Sequence, residues 1–172
     1  MLRASSTLII AAMTLLASTV ALAEEPSDFL AKAIQVSKTE IELGKLAQRN
    51  AESSGVNALG ARIERDHARI GKMLAILAQQ KGVAVPVALE SSGMAVQSLS
   101  AKRGAQFDAA YSTQMVSDHE TAIALFTAAA NGSDPDLRQA AKLALPILRE
   151  DERLASSFEK LSAGNLQAVA AR

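Results

Sequence analysis

Apolar residues recur three and four positions apart through four long stretches of this chain, the spacing of one face of an α-helix. Over 27–53 they include Phe29, Leu30, Ala33, Ile34, Val36, Ile41, Leu43, Gly44 and Ala47, and Ser27 and Asp28 offer an N-cap. The second stretch, 56–81, carries Leu59, Ile63, Ile70, Leu74 and Leu77 on one side and stops at Gly82. A third runs over 105–130 to Asn131 and Gly132. A fourth follows Ser133, Asp134 and Pro135, with the proline suited to a first turn, and continues to Leu161.

Short links join the first stretch to the second and the third to the fourth, so each pair is expected to lie antiparallel. The link between the second and third is about 20 residues, unusually long for a plain loop. Pro86 and the β-branched residues around it disfavour a helix early in that link, and a short helix is expected over 92–102. Such a link can return the chain to its starting end and leave the second and third helices parallel. The expected fold is all-α: a ferritin-like four-helix bundle over 24–162, with a long crossover that carries a short extra helix. Residues 163–172 are expected as a frayed tail.

Within each stripe sits one ionisable residue: Glu40, His67, His119 and Asp151. His67 lies between Ile63 and Ile70, His119 between Met115 and Ala122, Asp151 between Leu148 and Leu154, and Glu40 between Val36 and Leu43. At 100° per residue each points inward, and each falls near the middle of its helix, so the four can share one layer. A buried charge-capable group among aliphatic neighbours is costly unless it is paired or bound to a metal.

Two imidazoles and two carboxylates suit iron, zinc, manganese or copper, and make one transition-metal ion the candidate cofactor. The chain has two histidines, each directly preceded by an aspartate, Asp66 before His67 and Asp118 before His119. From the edge of the stripe these aspartates could orient the other histidine, which makes them candidate flanking residues. Glu64 is a third, because Glu64 and His67 form a Glu-x-x-His unit of the di-iron type. Val116 stands where the second such glutamate would fall, so a complete di-iron centre is not supported. A structural layer, in which the carboxylates accept hydrogen bonds from the histidines, is the competing reading, and haem between the histidines is a third.

Other features narrow the picture. Residues 1–23 read as an export signal, with Arg3, an apolar run from Leu8 to Leu16 and Ala21-Leu22-Ala23 before Glu24, so the protein is expected in the periplasm, free or envelope-associated, with no transmembrane anchor after cleavage. Beyond Ala23 the chain has 17 Lys and Arg against 18 Asp and Glu, with no basic stripe for nucleic acid. The absence of cysteine removes disulfides, thiol catalysis, cysteine zinc sites and covalent c-type haem. Pro146 is expected to kink or loosen the fourth helix. Asp108 falls on the apolar side near the start of the third, where its charge suits the positive helix end, and Tyr111 reads as core filling.

The order Glu40-x-Glu42-Leu43-Gly44-Lys45-Leu46-Ala47, Asp66-His67, Phe107-Asp108-x-x-Tyr111, Met115-Val116-x-Asp118-His119 and Leu145-Pro146-x-Leu148 resembles the bacterial domain-of-unknown-function family 4142 over residues 28 to 161. The resemblance implies an exported ferritin-like four-helix protein, of a kind labelled predicted outer-membrane protein and without an assigned activity. It also implies that Glu40, His67 and His119 occupy the family's marked polar positions. Asp151 stands where the family commonly has a histidine, so a carboxylate here takes the place of one ligand.

The expected function is that of a non-enzymatic or weakly enzymatic bundle with a metal ion in its Glu40, His67, His119 and Asp151 layer, in envelope stress or metal handling. The alternative is a structural or interaction module in which those residues form only a buried hydrogen-bonded layer. A protein partner or homo-oligomer is compatible with either.

Overall fold

A computed structural model describes the backbone of residues 25–85 and 92–170 and the side chains of 25–85 and 93–164. The leader expected over 1–23 and the middle of the crossover, 86–91, lie outside the described residues. Among those described, the chain forms five α-helices and no strand: α1 (Pro26–Asn50), α2 (Ser54–Gln80), α3 (Ser92–Ser100), α4 (Gly104–Ala130) and α5 (Pro135–Ala170).

Local chemistry sets most of the ends. α1 starts earlier than Ser27 and Asp28 suggest: Glu25 is the N-cap and makes no side-chain capping bond, and Pro26 occupies the first turn. A proline there gives up no helical hydrogen bond and presets φ, which suffices to start the helix. Ser53 caps α2 by accepting from the Gly55 backbone N–H, and Asp134 caps α5 by accepting from those of Asp136 and Leu137. α2 closes at Gly82, whose φ of 66° is a conformation favourable to glycine. α5 continues through Pro146 and on past Leu161. Pro146 and Lys142, whose carbonyl loses its N–H donor, are both solvent-exposed, so water can take that acceptor.

Polar contacts between helix ends define the topology. Asn50, at the end of α1, donates to the Lys102 carbonyl just before α4, and Lys81, at the end of α2, pairs with Asp134 and Asp136 at the start of α5. Hence α4 begins where α1 ends, and α5 begins where α2 ends. α2 and α4 therefore run parallel, as the long crossover requires. Asp108 also contributes here rather than simply favouring its helix dipole: its carboxylate accepts from the backbone N–H groups of Glu52 and Ser53 at 3.1 and 2.8 Å, and Glu52 accepts in return from Ala105 N–H. The turn between α1 and α2 is thus tied to the first turn of α4.

Gly44 and Gly60 let the first two helices approach closely. A Cβ on Gly44 would lie 2.6 Å from the Gly60 carbonyl oxygen, and one on Gly60 would lie 2.5 Å from Ala47 Cβ. Small residues are required at both sides of that crossing.

The core divides into two apolar clusters. One contains Phe29 to Ile34, Ile70 to Ala78, Ala122, Phe126 and Leu137 to Leu148, and the other contains Leu43 to Ala47, Val56 to Ile63, Leu99, Phe107 to Met115 and Ala155. On α2, α4 and α5 the clusters are separated by the same seven residues: Ile63 to Ile70, Met115 to Ala122 and Leu148 to Ala155. His67, His119 and Asp151 lie in those gaps, and Glu40 lies in the matching gap on α1. One polar layer thus separates two hydrophobic halves.

Candidate metal site

Each of the four long helices supplies one residue to this layer, and Glu40, His67, His119 and Asp151 are all 0–1% exposed. Nε2 of His67 faces Nε2 of His119 at 3.4 Å, with ring centroids 5.3 Å apart and planes at 89°. Nδ1 of His119 is 2.9 Å from the Met115 carbonyl oxygen. A carbonyl can only accept, so a neutral His119 carries its proton on Nδ1 and turns a lone pair toward His67. One ligand atom from each of Glu40, His67 and His119 lies within 4.8 Å of the other two.

Burial sets the charges. It lowers His67 to about 3, helped by repulsion from His119, and lowers His119 to about 4 against the opposing Met115 bond. Both imidazoles are therefore neutral at pH 7, the form that binds metals. Burial also raises Glu40 well above the usual carboxyl range, reinforced by the charge of Asp118, a hydrogen bond with it, and the charge of Asp151. Glu40 keeps its proton and donates it toward Asp118. Asp151 is raised to about 6 by burial, against the pull of Arg62, whose Nε donates to its Oδ1 at 2.5 Å.

The layer is not closed by its own hydrogen bonds. His67 Nδ1, Glu40 Oε2 and Asp151 Oδ2 are buried and meet no donor or acceptor among the described residues. Asp151 Oδ2 stands 4.0 Å from His119 Nε2, beyond hydrogen-bonding range.

The flanking residues fall elsewhere than expected. Neither aspartate orients a histidine: Asp118 accepts from Gln114 and meets Glu40, while Asp66 sits 3.5 Å from Arg62. An aspartate adjacent to its histidine is turned by 100°, where each meets a residue one turn back on its own helix, Arg62 for Asp66 and Gln114 for Asp118, and Asp118 also meets Glu40 of α1. Glu64 accepts from Gln48 on α1 at 2.6 Å and lies outside the cluster. Sequence reasoning missed Arg62 altogether. Five residues before His67 it lies off the stripe's centre, and its partner is 89 positions away. Tyr111 does fill the core, but its buried hydroxyl has no hydrogen-bond partner among the described residues and is held un-ionised by burial, reinforced by Glu40, Asp151 and Asp118.

A cleft of about 490 Å³ leads to the layer between α1, α3 and α4, with Glu40 and Asp118 in its lining.

These features define an all-helical bundle with a buried two-histidine, two-carboxyl layer at mid-height. The family model described as "Domain of unknown function (DUF4142)" matches residues 11–157, and the chain belongs to that family. No curated protein matches. Among solved structures, a DUF305 fragment from Deinococcus radiodurans is similar in fold, with a TM-score of 0.68 at 16% identity, covering 80% of this chain and 95% of that one. No helix among the described residues is long and apolar enough to cross a membrane.

Proposed function

We propose that this protein is an exported bundle that holds one transition-metal ion between Glu40, His67 and His119, in envelope metal handling or stress defence. The observation that carries this reading is the convergence of one ligand atom each from Glu40, His67 and His119 to within 4.8 Å of one another in a layer that also holds buried polar atoms without partners among the described residues. A layer built only for structure should close its hydrogen bonds, because each unmet buried polar group costs about 1–3 kcal/mol. Here one oxygen each of Glu40 and Asp151 and Nδ1 of His67 meet no partner among the described residues.

The spacing supports the same reading. Two nitrogens bound at about 2.0–2.1 Å to a tetrahedral ion lie about 3.4 Å apart, the separation seen between His67 and His119. The Met115 carbonyl gives His119 the backing that ligand imidazoles commonly have. Asp151, held by Arg62 on one oxygen, directs the other toward the same space and balances the ion's charge.

Elemental analysis and anaerobic titration with Zn²⁺, Fe²⁺, Mn²⁺ and Cu²⁺ test the proposal beside a His67→Ala, His119→Ala double variant. One ion per chain, lost in the variant, is the expected result. If the parent protein binds none and the variant is merely less stable, the residues form a structural layer and the protein is an interaction module. Export is tested by sequencing the mature N-terminus, expected to begin at Glu24.

A further inference from the structure

We infer that the cleft between α1, α3 and α4 is the port through which a divalent cation reaches the buried cluster, with Asp118 as its docking carboxylate. This rests on the metal reading of the layer and goes beyond it by assigning a route and a residue for uptake.

A cluster buried to 1% exposure needs a path for a hydrated ion, and the cleft lining includes Glu40, one of the three candidate ligands. Its oxygen Oε2 meets no donor among the described residues, so an inward-moving ion displaces none of them from it. The walls suit a cation. Asp118 and Glu40 bring carboxyls to the lining, Gln35, Thr39 and Gln114 bring neutral polar side chains, and among the described residues the lining contains no lysine or arginine. An oxygen-lined path can replace hydration water stepwise before the histidines are reached.

A second groove of similar size, between α2 and α5, also has a carboxylate, Asp136, and two amides, Gln80 and Gln139, but it places the cations Arg69 and Lys72 beside them and carries none of the layer residues. Asp118 lies between solvent and Glu40: it is partly exposed, is held by two bonds from Gln114 at 2.9 Å, and touches the Glu40 carboxyl. It is a positioning residue for entry, outside the ligand set.

Stopped-flow mixing of the full chain with Co²⁺, followed by its visible absorption, provides the test. Ala95→Trp and Ser98→Trp place a bulky group in the cleft from α3, while Gln139→Trp does so in the α2 and α5 groove as a control. The cleft variants are expected to slow both association and dissociation tenfold or more and leave equilibrium affinity near that of the parent, with Gln139→Trp unchanged. Asp118→Asn is expected to slow association severalfold, more so at low salt. Two plugs at different positions guard against one failing to fold. Parent-like association in a folded plug variant overturns the port while leaving the metal site standing, whereas failure of the parent to bind Co²⁺ overturns both.

Discussion

His67 and His119 bring their Nε2 atoms to 3.4 Å across perpendicular rings, and only His119 has a backbone carbonyl behind it. The pair comes from parallel helices and from positions 52 residues apart. Both rings are desolvated, which holds them neutral far below the usual histidine range. In the metal-free protein, NMR titration should place His67 near 3 and His119 near 4. A midpoint near the ordinary value of about 6.5 for either ring would mean that the layer is wet.

These shifts have a definite sign for stability. A histidine lowered in the folded state favours folding fully above its unfolded value of about 6.5, and that contribution drains away as pH falls toward the folded values. The carboxyls act oppositely. Glu40 and Asp151 are raised, so their contribution is full below the ordinary carboxyl value of about 4 and is lost as pH rises through the folded values, about 6 for Asp151.

Glu40→Gln should consequently stabilise the metal-free protein at pH 8, by on the order of 1 kcal/mol or about 2–4 °C in Tm, while abolishing metal binding. The gain should shrink as pH falls toward the ordinary carboxyl range, where the raised pKa of Glu40 costs nothing. Thermal melts of both proteins at pH 8 and within that range decide it, and a gain independent of pH would remove the charge-based explanation.

Metal uptake should release a proton. At pH 7 the histidines are already neutral, so the proton displaced is the one on Glu40, shared with Asp118. Calorimetry in buffers of different ionisation enthalpy should return about one proton per ion. Zero protons released would show that the ion displaces no proton from the Glu40–Asp118 pair.

Arg62→Met leaves Asp151 buried without its ion-pair partner. Because Arg62 is about one-third exposed, the expected cost at pH 8 is reduced to about 1–3 kcal/mol, below that of a fully buried pair. At pH 5 Asp151 can take a proton and most of the cost should vanish. Urea denaturation at both pH values checks this, and equal losses would indicate that Arg62 acts through packing alone.

Gly60→Ala sets two effects against each other. Alanine gains about 1 kcal/mol in helix propensity, yet its Cβ would fall 2.5 Å from Ala47 Cβ and 2.8 Å from the Gly44 carbonyl oxygen. Overpacking costs about 1–3 kcal/mol, so the variant should be less stable. Gly164→Ala, with nothing within 4 Å of the new Cβ, should be neutral or stabilising under the same denaturation measurement.

Much of this protein is legible along the chain because an α-helix converts spacing into direction. The interval between Ile63 and Ile70 is enough to turn His67 inward, and the same holds for His119 between Met115 and Ala122. Periodicity, the stop at Gly82 and the length of the crossover therefore determined four long helices, their order and the inward aim of one polar residue from each.

What faces each of those residues was decided only by tertiary structure. Arg62 reaches Asp151 across 89 positions, Asp118 turns to Gln114 and Glu40 instead of a histidine, and Asp108 holds the turn at Glu52 and Ser53. A side chain's angle about its own helix comes from local spacing, but its partner depends on the rotation and height of the neighbouring helix. Packing contacts such as Gly44 on Gly60 fix those two quantities.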